Sequence, residues 1–324
     1  MAFTRRIILA LGLCLAAAQA QAAGLRQISV PADAGRTKIT GTLWTPCARP
    51  PQAIKIEGTF AIPGVKDCPI LGEHLPLVVI SHGLSGGSFS HHDTAETLAD
   101  AGFVVVALNH TLDSGRDMKR ADDIASLLIR PTDVKRVLDY MLRDSAAAAK
   151  IDPKRIGLFG FSRGGYTALM LAGAVPDFVH AAAGCPDAVQ MCRQVRDKQV
   201  PAHLVADEPR IKAFVIADPL AMFFPDQASV NRVRAPVQLW ASAEGGQGVE
   251  PKDVAALARN LPVKPDYHPV PNSTHLSFLL PCTPALRKAA PPMICADPPG
   301  FDRTAFHKDF DAKVVAFFHK HLVP

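Results

Sequence analysis

The chain has 324 residues, of which 48% are hydrophobic and 20% are charged, and its formal net charge is +5. This composition supports a large folded core and excludes an intrinsically disordered chain. Lysine and arginine are scattered and do not form a basic stripe with interleaved aromatic residues, so nucleic acid is not an expected partner. The length fits one large α/β domain or two small domains.

The N-terminal residues have the pattern of a secretory signal peptide. Arg5 and Arg6 precede an uncharged apolar run, and small residues follow it up to Ala23. The run is shorter than the ~20 apolar residues that a membrane-spanning helix needs, so we expect no stable membrane anchor once the signal is removed. We predict a signal peptide over residues 1–23, cleaved near Ala20 to Ala23, and one domain over residues 24–324 that is periplasmic or secreted.

Six cysteines remain outside the predicted signal peptide, and they fall into pairs that are close in sequence. Because an oxidising compartment favours disulfides, we predict the local pairing, although other pairings are open. The predicted bonds are Cys47–Cys68, Cys185–Cys192 and Cys282–Cys295. The spacings lack the close Cys-x-x-Cys or His-x-x-x-His patterns of zinc sites, so no metal is predicted.

Short apolar runs rich in β-branched residues alternate with helical patterns along the chain. Strands are predicted at 37–44, 77–81, 103–108, 155–161, 211–217, 237–241 and 266–270. Helices are predicted at 92–101, 133–149, 163–173, 251–260 and 304–321. This alternation predicts an α/β fold with a mainly parallel central sheet and helices on both faces.

Two segments interrupt the alternation. Residues 185–210 break the strand–helix order, and we predict that they form a lid or cap over the site. Residues 281–299 are rich in proline and are predicted to form a long loop pinned by Cys282 and Cys295. No stretch resembles a linker, so the segments are interpreted as insertions in one domain.

Residues 160–165 read Gly-Phe-Ser-Arg-Gly-Gly and lie between a predicted strand and a predicted helix. In that position Gly-x-Ser-x-Gly is typical of a nucleophile elbow, a sharp turn that exposes the serine at the carboxyl edge of a sheet. A side chain at Gly160 or Gly164 would press against neighbouring backbone. We predict that Ser162 is a nucleophile and that the Arg163 amide faces an oxyanion. The alternative is a glycine-rich turn without chemistry.

A second glycine-rich loop, Ser-His-Gly-Leu-Ser-Gly-Gly over residues 81–87, directly follows a buried strand. Backbone amides in such a loop stabilise a developing oxyanion, so we predict that the amide of Leu84 acts with that of Arg163. The loop lacks the Lys-Ser or Lys-Thr that a phosphate-binding loop requires. His82 is interpreted as a hydrogen-bonded loop residue and not as a base.

The order serine, acid, histidine is typical of hydrolases with a nucleophile elbow. His275 follows the last predicted strand in a loop of turn residues, where a general base is expected. Two acids follow earlier strands and could orient His275: Asp218 after residues 211–217, and Glu244 after residues 237–241. Asp218 is the preferred candidate, and Glu244 remains open.

These motifs resemble exported bacterial hydrolases described as predicted dienelactone hydrolases, which are relatives of the platelet-activating-factor acetylhydrolases. The resemblance covers most of the chain after the signal peptide. It rests on Ser-His-Gly-Leu at 81–84, Gly-Phe-Ser-Arg-Gly-Gly at 160–165, Ile-Ala-Asp-Pro at 216–219, Ser-Thr-His-Leu-Ser-Phe at 273–278 and Ile-Cys-Ala-Asp-Pro-Pro-Gly-Phe-Asp-Arg at 294–303. It implies an α/β-hydrolase catalytic domain and ester hydrolysis without a cofactor. It also favours Asp218 as the acid and Leu84 and Arg163 as the oxyanion donors.

The chain departs from true dienelactone hydrolases, which use a cysteine nucleophile where this chain has Ser162. The side chain of Arg163 is also unusually polar, and it either meets an acidic substrate group or pairs with a local carboxylate. The expected function is hydrolysis of small-molecule esters, short-chain or lipid-like, through an acyl-enzyme and a triad of Ser162, His275 and Asp218. A peptidase or amidase, and a non-catalytic binding protein on the same scaffold, are the alternatives; the oligomeric state is not predicted.

Overall fold

The structure is a computed structural model that describes residues 23–56, 60–183, 188–200 and 204–324. The predicted signal peptide lies almost entirely outside this range, as does Cys185 with its predicted bond to Cys192. The disulfides Cys47–Cys68 and Cys282–Cys295 are formed as predicted. Across the described residues, none of the helices combines the length and apolarity needed to cross a membrane.

The described residues form a ten-stranded sheet with the order β10-β9-β8-β7-β5-β6-β2-β1-β4-β3. The strands are β1 Gly24–Val30, β2 Ile39–Thr45, β3 Gln52–Ile56, β4 Phe60–Lys66, β5 Leu75–Ser81, β6 Val104–Leu108, β7 Ile151–Phe161, β8 Ile211–Ala217, β9 Val237–Ser242 and β10 Asp266–Val270. Neighbours from β10 through β6 pair in parallel, and β2 pairs antiparallel with both β6 and β1. The prediction of a mainly parallel central sheet is confirmed, whereas β1, β3 and β4 were not predicted.

Helices cover both faces of the sheet, as predicted. They are α1 His92–Asp100, α2 Ala125–Arg143, α3 Arg163–Leu171, α4 Phe178–Ala183, α5 Gln190–Arg196, α6 Gln227–Val230, α7 Pro251–Asn260, α8 Pro284–Ala289 and α9 Arg303–Leu322. Alternate residues of β6 enter different apolar cores, because successive strand side chains point to opposite faces. Val104 and Val106 join a core with α2, α3 and α7, whereas Val105 and Ala107 join a core with α1 and α9.

Helix α2 differs from its prediction. Pro131 indicates a helix start just after it, but α2 begins at Ala125 and contains Pro131. Proline removes one intrahelical hydrogen bond. The first turns nevertheless stay helical while burying Leu127 and Arg130, both fully inaccessible to solvent. Tertiary packing of this early part of α2 therefore outweighs the local signal of the proline.

Candidate active site

The carboxyl ends of the parallel strands bring the predicted site residues to one edge of the sheet. Ser162 follows β7, Asp218 follows β8, and His275 lies in the loop after β10. The loop that contains Leu84 follows β5, which lies next to β7 in the sheet. In open α/β sheets, ligands bind in the crevice at this edge. The sheet topology therefore places these residues where a substrate would bind.

Ser162 occupies a strained turn between β7 and α3. Its φ is 56° and its ψ is −117°, a backbone conformation that side-chain-bearing residues rarely adopt. A Cβ added to Gly160 would lie 2.2 Å from the carbonyl oxygen of Gly164, and one added to Gly164 would lie 1.9 Å from that of Ser81. Only glycine fits at either position, so the turn has the tight packing that the sequence pattern requires.

Asp218 and His275 form a buried hydrogen-bonded pair. Nδ1 of His275 lies 2.7 Å from Oδ2 of Asp218, and the Asp218 side chain is fully buried. Ser242 also donates to this carboxylate, from its backbone N–H and its hydroxyl, both at 2.8 Å. Because an ionised carboxylate only accepts hydrogen bonds, the proton lies on Nδ1 of His275 and Nε2 keeps its lone pair. That tautomer is the one that a general base requires.

The imidazole of His275 is also fixed by packing beside the elbow. Phe161, the residue before Ser162, stacks its ring on that of His275 with the centroids 4.6 Å apart. The backbone N–H of His275 donates to the carbonyl of Gly245 at 2.8 Å. Glu244, the other candidate acid, is exposed, and its backbone N–H donates to Ser273. Of the two acids, the structure brings Asp218 to His275.

The loop that contains Leu84 is held by a buried network that starts at His82. The backbone N–H of His110 donates to Nε2 of His82 at 3.0 Å, so the ring proton lies on Nδ1 and is donated to the Gly83 carbonyl at 2.6 Å. Burial, with the charge of Arg130, lowers the pKa of His82 well below its ordinary value. His82 is thus a neutral, hydrogen-bonded loop histidine, as the sequence predicted.

The side chain of Arg163 joins this network. It donates to Asp113 at 3.1 Å, to the carbonyl of Ala121 at 2.8 Å and to the hydroxyl of Ser126 at 3.1 Å. Of the two expectations for Arg163, the structure therefore gives pairing with a local carboxylate. Its backbone N–H lies in the first turn of α3, where amides have no intrahelical acceptor.

Sequence reasoning missed Asp113, Arg130 and Ser242, which support the predicted residues. Asp113 lies in the loop after β6, and Ser242 ends β9. Their roles depend on contacts with residues distant in the chain, which no local motif reveals. One feature of the sequence could have indicated Arg130: it is a charged residue on the apolar stripe of α2. In the structure it is fully buried. A buried arginine requires a partner, here Asp113.

A cavity of about 670 Å³ opens at this edge, and both Ser162 and His275 line it. Leu84 and Arg163 also line it, so four of the five predicted site residues border one space, and the fifth, Asp218, is buried. None of the described residues between 188 and 210 lines the cavity, so the described part of the predicted lid does not form its wall. Residues of the proline-rich segment between Cys282 and Cys295 line the cavity instead.

A second polar cluster lies between α1 and α9, where atoms of Asp93, His307 and Asp311 that could bind a metal lie within 4.8 Å of one another. Nδ1 of His307 lies 2.7 Å from Asp93, and its Nε2 lies 3.1 Å from the carbonyl of Ser277. Because both partners are acceptors, both ring nitrogens carry protons and neither has a lone pair for a metal. The cluster is therefore an ion pair that also contacts the turn beginning at His275.

Comparison with known proteins supports the fold assignment. The model of the dienelactone hydrolase family matches residues 67–216. The chain can be aligned with a ferulic acid esterase from Streptomyces cinnamoneus over 95% of its length and 91% of that protein's, with a TM-score of 0.64 and 19% identity. A dienelactone hydrolase from Anabaena variabilis aligns over 93% of this chain and 99% of its own, with a TM-score of 0.51 and 16% identity. The fold is that of an α/β-hydrolase.

Two curated relatives align with shorter stretches of the sequence. Cutinase 2 of Thermobifida cellulosilytica is 33% identical over 102 residues, which are 31% of this chain and 35% of that protein. Cutinase est2 of Thermobifida alba is 31% identical over 133 residues, which are 40% of each protein. The chain thus spans well under half the length of these relatives. Together with the family match, these comparisons show that the chain has the α/β-hydrolase fold and is similar to dienelactone hydrolases over residues 67–216.

Proposed function

We propose that the protein is a serine hydrolase that cleaves carboxylic esters through an acyl-enzyme on Ser162. The observation that carries the proposal is the strained turn that holds Ser162 in the same cavity as His275, which is paired with the buried Asp218. The names of its relatives, cutinases and a ferulic acid esterase, support the same class of reaction. Ser162 is thus the proposed nucleophile, His275 the general base and Asp218 the acid that orients it.

In the first half-reaction, the Ser162 hydroxyl attacks the acyl carbon while Nε2 of His275 takes its proton. Asp218 holds the imidazole through Nδ1 and stabilises the imidazolium that forms. The imidazolium then donates this proton to the departing alcohol. In the second half-reaction, His275 deprotonates a water molecule, which attacks the acyl carbon; the imidazolium then returns the proton to Oγ of Ser162 as the acid is released. The chain and water supply every group, so these steps use no cofactor.

The amides of Leu84 and Arg163 are the proposed donors to the tetrahedral oxyanion. One such donor contributes on the order of 3 kcal/mol of barrier lowering. The Arg163 amide begins α3, and Leu84 lines the same cavity as Ser162. Since the side chain of Arg163 is paired with Asp113, its role in this reaction is through its backbone.

Export of the protein is part of the proposal. Two disulfides among the described residues, Cys47–Cys68 and Cys282–Cys295, are typical of an oxidising compartment. We infer a signal peptide over residues 1–23, a catalytic domain over residues 24–324, and function in the periplasm or outside the cell. Small-molecule esters are the proposed substrates.

Hydrolysis of p-nitrophenyl acetate and butyrate, measured beside the matching p-nitroanilides, tests the activity. We expect ester hydrolysis that Ser162→Ala reduces at least ~1,000-fold in kcat. The control is Ser29→Ala, which removes an exposed hydroxyl on β1 and should leave kcat unchanged. Preference for the anilides would make the protein an amidase. Unchanged activity of Ser162→Ala would remove Ser162 from the mechanism.

A further inference from the structure

One wall of the cavity beside Ser162 comes from the segment closed by the Cys282–Cys295 disulfide, residues 282–295, here called the flap. Four flap residues line the cavity: Leu286, Pro291, Met293 and Ile294. Leu276 and Leu279, on the turn that begins at His275, continue the same wall. This side of the cavity is therefore formed by apolar side chains.

The flap is anchored to the rest of the protein. Arg303, at the start of α9 and 6% exposed, donates to the carbonyl of Ile294 at 2.7 Å and to both oxygens of Asp297. Asp297 in turn accepts a hydrogen bond from the hydroxyl of Ser277 at 2.9 Å. The apolar wall is thus tied to the turn that holds His275.

Large apolar side chains at the cavity are exposed to water. Met293 is 49% exposed and Leu84 is 40% exposed, and both line the cavity. Contiguous exposed apolar groups around a groove typically mark a binding site for an apolar ligand. Polar residues also line the cavity, among them Ser85, Ser90 and Gln247. The cavity thus offers both an apolar wall and polar groups to a bound ester.

We propose that the flap forms a subsite for the aliphatic or aromatic chain of the ester, so that substrates with chains well beyond an acetyl group are preferred. This proposal rests on the proposed esterase function. A volume of about 670 Å³ is in the range of pockets that enclose drug-sized ligands, and an acetyl group would leave most of it to water. Each methylene buried against the flap contributes about fourfold to kcat/KM.

Two substrate series test the subsite, since the chain could belong to the acid or to the alcohol. The first is p-nitrophenyl acetate, butyrate and octanoate, and the second is ethyl acetate against octyl acetate. In at least one series we expect the octyl-sized member to exceed the shortest by about tenfold or more in kcat/KM. Met293→Ser and Ile294→Ser should each remove most of that advantage, because they lower kcat/KM for the octyl-sized esters much more than for the acetates.

Leu71→Ser is the matched control, because Leu71 is an exposed leucine, 46% accessible, that does not line the cavity among the described residues. It should leave both series unchanged. The proposal is overturned if neither series shows a chain-length advantage, or if the flap variants lower short and long esters equally. Absence of all ester hydrolysis would instead overturn the proposed function.

Discussion

Arg130 and Asp113 form a fully buried ion pair, with Nε of Arg130 3.0 Å from Oδ2 of Asp113 and neither side chain exposed. The same guanidinium donates to the carbonyls of His82 at 2.8 Å and Gly83 at 3.3 Å. In a planar trans peptide the N–H points opposite to the C=O. The Gly83 carbonyl and the Leu84 N–H belong to the same peptide. Because Arg130 holds the carbonyl, the N–H of Leu84 points away from Arg130.

Asp113 joins this loop to the elbow, because it also accepts a hydrogen bond from the side chain of Arg163. Burial alone would raise the pKa of Asp113, but the charge and hydrogen bond of Arg130 hold that pKa well below its usual range. Asp113 is thus an anion between two arginines. It links the residues that carry both proposed oxyanion donors, Leu84 and Arg163.

We predict that Arg130→Lys lowers kcat by about 100-fold and changes KM little, because a misaligned oxyanion donor affects mainly the transition state. Steady-state kinetics on folded protein, checked by circular dichroism, measure this effect. The control is Arg136→Lys, on the same helix, where a buried arginine donates to the carbonyls of Pro31 and Thr37. Equal losses in the two variants would show that Arg130 acts only on stability.

Mutation of each candidate acid shows which of the two orients His275. Asp218→Asn should lower kcat by about four orders of magnitude, because an amide at this position favours the wrong tautomer of His275. Glu244→Gln should stay within about twofold of the wild type, since Glu244 is exposed. Measuring kcat for p-nitrophenyl acetate distinguishes the two. A severe loss confined to Glu244→Gln would assign the acid to Glu244.

The elbow makes a prediction about stability. Gly164→Ala places a Cβ 1.9 Å from the backbone oxygen of Ser81, which a small side-chain shift cannot relieve. We expect a loss of at least ~3 kcal/mol in the free energy of unfolding, measured by urea denaturation. Gly64→Ala is the control, because its nearest neighbours would lie at 3.2 Å. If the two variants were equally stable, the elbow would not be packed as described.

The cluster between α1 and α9 predicts a pH dependence of stability. Burial, with the charge of Asp93, raises the pKa of Asp311 to about 7. A carboxyl group with a raised pKa favours the folded state when protonated, so its contribution is complete below about pH 4 and is lost as pH rises through 7. The other groups that face it are Asp93, Glu96, His92 and His307.

Asp311→Asn removes this titration and keeps an acceptor for the hydroxyl of Thr94, which donates to Asp311 at 2.7 Å. We expect the variant to be more stable than the wild type by about 1 kcal/mol or more at pH 8, and similar to it near pH 4. Urea denaturation at both pH values measures the difference. Asp309→Asn, an exposed change on the same helix, should show little pH-dependent effect. A gain that is equal at both pH values would contradict the account.

The part of the site that follows from local signals could be predicted from the sequence. Ser162 and His275 sit in loops whose turn residues and flanking strands are contiguous in the chain, so short motifs reveal them. The parallel sheet was predictable because its buried strands, such as β5 and β6, are continuous apolar runs. Features of this kind depend on interactions within a few residues.

The remainder depends on contacts between distant parts of the chain. Asp113 and Arg130 lie 17 residues apart, in a loop and a helix, and no motif joins them. The predicted start of α2 was wrong because packing of Leu127 outweighs the local signal of Pro131. Strand β1 alternates between buried and exposed residues and pairs mainly with β2. Its apolar pattern alone was too weak to predict a strand.

The most direct measurement of the central claim is labelling of the wild-type protein with a fluorophosphonate, followed by mass spectrometry of the intact protein and its peptides. We predict one adduct, located on Ser162, with no adduct on folded Ser162→Ala and slower labelling of Asp218→Asn. A folded wild-type protein that does not react, or an adduct on another serine, would contradict the account.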